Sequence, residues 1–281
     1  MNKTIRTVEN MQANLGASKH ANKQALLTLS QVSLNLGIGG RVILEDISYT
    51  VYPGDFVIIL GGNGSGKSSL LKIINKMYTQ TQGDILLEEK NIANISGDMF
   101  TQQVSTVTQD TQDNLFYGFT VFENGLMYEL IHENNTHVQS LLSVSNVFKI
   151  SKSQERAFYT QYLATFCPEL AGKLDTDVAR LSGGQRQSLA LALCLRHKPK
   201  LLLLDEHTSA LDPKTAQVIM QKTHDYITAH AVTCIMTTHD LDEALRYGNR
   251  LVALKAGKIV FMADEKEKQR LTKEQLLHFC Y

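Results

Sequence analysis

Phe56-Val57-Ile58-Ile59-Leu60-Gly61-Gly62-Asn63-Gly64-Ser65-Gly66-Lys67-Ser68-Ser69-Leu70-Leu71 is the stretch on which the fold turns. Five apolar residues without alternation describe a short strand buried on both faces, as in the middle of a parallel sheet. Leu70, Leu71, Ile73, Ile74 and Met77 then recur at helical spacing. Between strand and helix, Gly61-x-x-x-x-Gly66-Lys67-Ser68 fits the P-loop pattern without a mismatch. Glycines let backbone N–H groups turn inward around phosphate oxygens, and the helix aims its N-terminus at them. Lys67 sets a compact positive charge against the β and γ phosphates, and the Ser68 hydroxyl can ligate Mg²⁺. Gly61, Gly62, Asn63, Gly64, Ser65, Gly66, Lys67, Ser68 and Ser69 are therefore the candidate nucleotide-binding residues.

Two further strings lie downstream. Leu201-Leu202-Leu203-Leu204-Asp205-Glu206 is an apolar strand ending in two carboxylates. Behind a P-loop, Asp205 suits Mg²⁺ and Glu206 suits polarising an attacking water. Leu181-Ser182-Gly183-Gly184-Gln185-Arg186-Gln187 opens a helical run to His197 with a hydroxyl and two glycine N–H groups, a second phosphate cradle without a lysine.

Around these strings, alternation at Leu27 to Leu36 reads as half-buried strand, Gly37-Ile38-Gly39-Gly40 as a turn, and Ile43 to Tyr52 as another strand-like stretch closed by Pro53-Gly54-Asp55. From Asp110 to Arg180 strand character fades and helices are expected near Val121 to His132 and Gln154 to Phe166. Later elements are a helix from Pro213 to about His230, a strand at Ala231 to Thr237, a short helix at Leu241 to Tyr247, a hairpin at Arg250 to Met262, and a last helix at Thr272 to Phe279. The expected fold is mixed α/β, a RecA-like P-loop core with an antiparallel β subdomain and a helical subdomain at about 110–180. One domain is expected over 25–281, behind a polar, flexible tail at 1–24.

Composition narrows the function. Of 281 residues, 43% are hydrophobic and 20% charged, ordinary for a packed globular chain. Lys+Arg and Asp+Glu are 28 each, which excludes the broad basic footprint of a dedicated nucleic-acid binder. No apolar run approaches the roughly 20 residues that cross a bilayer, and the first residues lack the apolar core of a secretory signal. The four cysteines are scattered without a CxxC pair, so neither a zinc site nor a disulfide framework is expected.

With the P-loop, Ser182-Gly183-Gly184-Gln185 and Asp205-Glu206 in that order, the sequence resembles the ATPase subunits of ATP-binding cassette (ABC) transporters over roughly Leu27 to Phe279. The resemblance implies an ATPase using ATP and Mg²⁺ and working as a homodimer, Ser182, Gly183, Gly184 and Gln185 of one subunit closing over the nucleotide in its partner's P-loop. It also implies roles for the smaller elements. Gln109, after the strand-like Val104 to Thr108, matches the glutamine that senses Mg²⁺ and the water. Ser209-Ala210-Leu211-Asp212 matches the loop that communicates across the dimer, and His239 the switch histidine of the γ-phosphate. The implied catalytic set is Lys67, Gln109, Glu206 and His239, and the implied metal set Ser68, Gln109 and Asp205.

His207 stands where most members have Pro, and with Gly61-Gly62-Asn63 and Ala244-Leu245-Arg246-Tyr247 the chain is similar to ATPase subunits of tryptophan/tyrosine-type amino-acid importers. Those pair with membrane permease subunits and, indirectly, a substrate-binding lipoprotein. The implied location is peripheral, at the cytoplasmic face of the inner (plasma) membrane. The aromatic segment Asn114 to Asn124 is expected to form part of the groove for a permease helix, although Phe116 and Phe122 could equally fill the subdomain's own core. The rival is a soluble ABC ATPase acting on DNA, ribosomes or protein assembly.

Two positions depart from the family. Leu36 stands where an aromatic usually stacks on adenine, so base discrimination should be weak unless Tyr49, Tyr52 or a tail aromatic reaches the base. Val178-Ala179-Arg180 replaces a more usual Val-Gly-x, which Ala179 tolerates unless φ there is positive.

Overall fold

Leu27, Leu29, Val32 and Leu34 of Leu27–Leu36 are buried, the alternation shifting phase at the exposed Ser30 and Gln31, and this strand (β1) lies between β2 (Arg41–Val51) and β4 (Gln82–Leu87), with the two-residue β5 (Lys90–Asn91) at the edge. All pairings in this sheet are antiparallel. The computed structural model describes residues 23–37, 39–132 and 152–280, so most of the expected tail lies outside the described residues. The chain forms two compact units.

The first unit holds residues 1–104, 200–206 and 226–281. Its second sheet is built on β3 (Phe56–Leu60), all five of whose residues are buried. β3 pairs in parallel with β8 (Thr233–Thr238) and β9 (Arg250–Lys255), and β8 with β7 (Leu201–Asp205). β10 (Lys258–Ala263) returns antiparallel along β9. β6 (Val104–Val107) starts in this unit at Val104 and runs on into the second. Both neighbours of β3 run parallel to it, so their C-terminal ends gather beside the P-loop. The helix α1 (Lys67–Ile74) buries Leu70, Leu71, Ile73 and Ile74. These pack with Val32, Leu34, Leu44, Ile47 and Ile85 of the antiparallel sheet and Leu203, Ile235 and Val252 of the parallel one in a single core.

At the opposite end of β3 the sheets are tied by a buried ion pair. The Arg250 guanidinium donates to Asp55 and to the Thr50 carbonyl (2.8 Å) and lies 4.7 Å from the Tyr49 ring. Asp55 also accepts from Tyr52 N at 2.9 Å. Burial pushes the Tyr49 phenol above its ordinary range.

The second unit holds residues 105–199 and 207–225. It contains α3 (Val121–His132), α4 (Lys152–Phe166), α5 (Gly183–Arg196) and most of α6 (Pro213–His230), after α2 (Gly97–Thr101) of the first unit. Tyr159 is its buried centre, donating to the Gly125 carbonyl (2.8 Å) or to Glu129 (2.9 Å). A Cβ on Gly125 would lie 2.6 Å from the Tyr159 ring, so only glycine lets α3 and α4 approach this closely there. Of the aromatic segment, Phe122 is buried against Tyr159, whereas Phe116, Tyr117 and Phe119 are each more than a third exposed. Phe122 is thus core and Phe116 is surface.

The expected helices and parallel strands agree with the structure to within about two residues, whereas β4, β5 and α2 have no counterpart in the sequence reading. Short helices α7 (Leu241–Arg246), α8 (Glu265–Lys268) and α9 (Lys273–Cys280) complete the first unit.

His207 is fully buried, its Nε2 has no hydrogen-bond partner, and burial pushes its pKa down to about 4. The folded state therefore holds a neutral imidazole that the unfolded chain protonates below about pH 6.5. Stability should be full above that value and fall as pH drops toward 4, with His132, also held down to about 4 by burial and by the neighbouring His197, adding to the slope. His207→Leu should flatten this acid limb in denaturant melts at pH 7.0 and 5.0. An unchanged pH dependence would show that His207 does not titrate across folding.

Candidate active site

In the first unit, β3 ends at Leu60 and the loop Gly61 to Gly66 leads into α1. Gly66 sits at φ 105°, in the left-handed region, and a Cβ there would lie 2.7 Å from Leu44 Cδ2. At Gly61 a Cβ would meet the Leu254 carbonyl at 2.4 Å and Ser65 Oγ at 2.6 Å. Both positions thus require glycine on steric grounds. Ser65 Oγ is buried without a hydrogen-bond partner, leaving a donor inside the loop.

Lys67 is only 4% exposed at its side chain, and its ammonium is fully engaged. It donates to the Gly61 carbonyl (2.8 Å) and the Gly62 carbonyl (3.1 Å) and pairs with Glu206 Oε1 (3.1 Å). The other Glu206 oxygen accepts from His239 Nδ1 at 3.1 Å. Glu206 therefore bridges Lys67 and His239. Its own backbone takes φ 43°, a left-handed conformation uncommon for a side-chain-bearing residue, and its N–H donates to Thr237 Oγ1 at 3.0 Å.

Ser68 Oγ donates to Asp205 Oδ1 (3.0 Å), and so does Thr237 Oγ1 (2.7 Å). A hydroxyl and a carboxylate oxygen at this spacing, with no larger acidic cluster among the described residues, are the donor set of a hard cation that keeps most of its waters and phosphate ligands. The residues fit Mg²⁺. Thr237 went unread in the sequence. It stands opposite Asp205 in the β7–β8 register, a hydroxyl in a buried strand whose neighbours Ile235 and Met236 are apolar.

In the second unit, Ser182 caps α5 through a capping box. Ser182 Oγ accepts from Gln185 N (3.3 Å), and Ser182 N donates to Gln185 Oε1 (3.2 Å). The Gln185 side chain is pinned further, accepting from Lys173 (2.9 Å) and donating to Glu169 (2.6 Å). A Cβ on Gly184 would lie 2.4 Å from Thr215 Cγ2, so α5 packs on α6 through glycine. Gln109 is exposed in the bend after β6, where Gln187 of α5 donates to the Thr108 carbonyl at 3.3 Å. Asp212 caps α6, and hydrogen bonds from Thr215 hold its carboxyl below the usual range. Ala179 lies in a right-handed 3₁₀ turn capped by Asp177, so no glycine is needed there.

The family model of the ABC transporter domain matches residues 44–209, which span the P-loop, Ser182-Gly183-Gly184-Gln185 and Asp205-Glu206. The chain belongs to the ABC transporter ATPase family. A tyrosine transport ATP-binding protein of Clostridioides difficile is 37% identical over 239 residues, covering 84% of this chain and 90% of that one. Among solved structures, cbiO1 from Clostridium perfringens, part of an ABC transporter complex, is 25% identical with a TM-score of 0.71, covering 91% of this chain and 94% of that one. A dimeric ATP-binding cassette in a post-hydrolysis state, bound to ADP and Pi, is 26% identical with a TM-score of 0.66, covering 85% and 98%. This ABC protein binds ATP and is an ATPase, on a P-loop core with an antiparallel sheet and a helical region. No helix among the described residues is long and apolar enough to cross a membrane.

Charge-assisted hydrogen bonds of the Lys67 kind are each worth about 1.5–3 kcal/mol. Lys67→Ala should weaken ATP binding by at least about tenfold in equilibrium titrations. Unchanged affinity in that variant would contradict the P-loop assignment.

Proposed function

We propose that this chain is the motor subunit of an importer of amino acids or a similar small solute. In this reading it is one ABC ATPase domain over 25–281, with a helical subdomain at about 110–180. Two copies form a homodimer beneath membrane permease subunits at the cytoplasmic face of the inner membrane, and a substrate-binding lipoprotein delivers the solute. The 37% identity to a tyrosine transport protein supports the amino-acid class.

The observation that carries the mechanism is the convergence of Lys67, Ser68, Asp205, Glu206, Thr237 and His239 within one unit. Gly61 to Ser69 cradle the triphosphate, with Lys67 exchanging its carbonyl and carboxylate partners for the β and γ phosphates. Ser68 and Asp205 would hold Mg²⁺, which would supply charge neutralisation at the phosphates. His239 positions Glu206, whose carboxylate takes the proton of the attacking water while the γ-phosphoryl group passes to the water oxygen and its bond to the β–γ bridging oxygen breaks, leaving ADP and inorganic phosphate. Ser182 to Gln185 of the partner subunit close over the same nucleotide. One P-loop and one Ser-Gly-Gly-Gln string per chain make two chains the smallest assembly with complete sites. ATP then holds the subunits together and hydrolysis releases them, an alternation that a permease can follow.

The partly exposed Phe116, Tyr117 and Phe119 give this reading a docking surface for a permease helix. A role on DNA, ribosomes or protein assembly would give that apolar segment no membrane partner.

Glu206→Gln should keep ATP binding, run as an ATP-dependent dimer on sizing, and turn over about 10² to 10⁴ times more slowly. Normal turnover in Glu206→Gln would assign the base elsewhere. In the reconstituted transporter, Tyr117→Ala or Phe119→Ala should uncouple transport while sparing ATPase activity. Full transport with either substitution would remove that side chain from the interface.

A further inference from the structure

The nucleobase end of the same site lacks an aromatic in the expected place. Tyr49 and Tyr52 do not fill it. Both lie beside Asp55, which precedes β3, while the P-loop follows Leu60 at the other end of that strand, roughly 16 Å along it.

The last register pair of the β1–β2 hairpin is Leu36 opposite Arg41. Directly opposed side chains of an antiparallel pair share a face, with Cβ atoms about 5 Å apart. That face is the inner one, because Leu36 packs partly against the core whereas the preceding pair, Asn35 and Val42, is exposed. A register shift follows at Ile43, where β2 has one residue more than β1. There β2 meets the P-loop: a Cβ on Gly66 would lie 3.1 Å from the Ile43 carbonyl and 2.7 Å from Leu44 Cδ2. Arg41 stands two residues further out, about 7 Å along the strand from this contact. It is exposed, and its guanidinium enters no ion pair or hydrogen bond among the described residues. Beyond it, Gly37, Gly39 and Gly40 leave open space at their Cβ positions.

We propose that Arg41 is the nucleobase contact of this ATPase, its guanidinium plane stacking on the base while Leu36 supplies an apolar floor. The proposal rests on the function proposed above: with Lys67, Glu206 and His239 at the γ-phosphate end, the nucleoside is taken to leave the P-loop on the side where β2 meets Gly66. A planar, delocalised cation is the side chain best suited to replace an aromatic ring against a π-face. Every base has such a face, so the contact adds affinity without choosing strongly among purines and pyrimidines.

The test is equilibrium binding of ATP, GTP, CTP and inorganic tripolyphosphate to the full chain and to Arg41→Ala, Arg41→Lys and Arg41→Tyr. Arg41→Ala should weaken all three nucleotides roughly 2- to 30-fold and leave tripolyphosphate unchanged. Arg41→Tyr should restore nucleotide affinity, whereas Arg41→Lys, a charge without a plane, should restore only part of it. Unchanged ATP affinity in Arg41→Ala would overturn the proposal. So would an equal loss for ATP and tripolyphosphate, which marks a phosphate contact. A wild-type chain that binds neither would overturn the P-loop reading first, and this proposal with it.

Discussion

An ammonium group taken out of water must find its hydrogen-bond and charge partners where it sits, and at Lys67 it finds three. Two are carbonyls of the loop it belongs to and the third is the Glu206 carboxylate, which arrives at the end of a different strand. The parallel strands β7, β8 and β3 lie side by side in unbroken register and are buried almost end to end, and that register puts Asp205, Glu206 and Thr237 level with the loop. The loop in turn closes only because Gly61 and Gly66 carry no Cβ. In the proposed reaction a phosphate replaces these partners of Lys67, so occupancy of the loop and release of Glu206 would be linked through one side chain.

Much of this was legible in the sequence because it is local. An unbroken apolar run, a fixed glycine spacing and a carboxylate pair at a strand end are each set within ten residues, and the helices and parallel strands follow from the same kind of pattern. Thr237 was not legible, because its part depends on which residue of β7 lies opposite it. β4 was missed for a related reason: Gln82-Gly83-Asp84 opens it with three exposed polar residues, and only the pairing with β1 makes it a strand. The division of the aromatic segment was equally beyond the sequence. Phe116 and Phe122 have the same composition around them, and burial of Phe122 depends on Tyr159 in another helix. Register likewise, not composition, sets Arg41 opposite Leu36.

The second unit uses its polar groups differently. Ser182 and Gln185 satisfy each other's backbone N–H groups at the head of α5, and Lys173 and Glu169 hold the glutamine from outside. In this arrangement the Ser182 oxygen accepts while its hydroxyl proton is still able to donate, so the cap that stabilises the helix does not consume the donor a phosphate needs. Gly184 against Thr215 fixes the same helix end by contact rather than by hydrogen bonding.

The backbone at Glu206 carries a cost that bears on how such a chain can change. A left-handed conformation disfavours any residue with a Cβ by on the order of 1 kcal/mol, and glycine or asparagine would relieve it. Selection for heat resistance alone would therefore push this position away from the carboxylate to which the proposed hydrolysis assigns the water's proton. Retention of an acid at so unfavourable a backbone angle is a stability–activity trade made at a single residue, and thermal hardening of this protein has to be sought elsewhere in the chain.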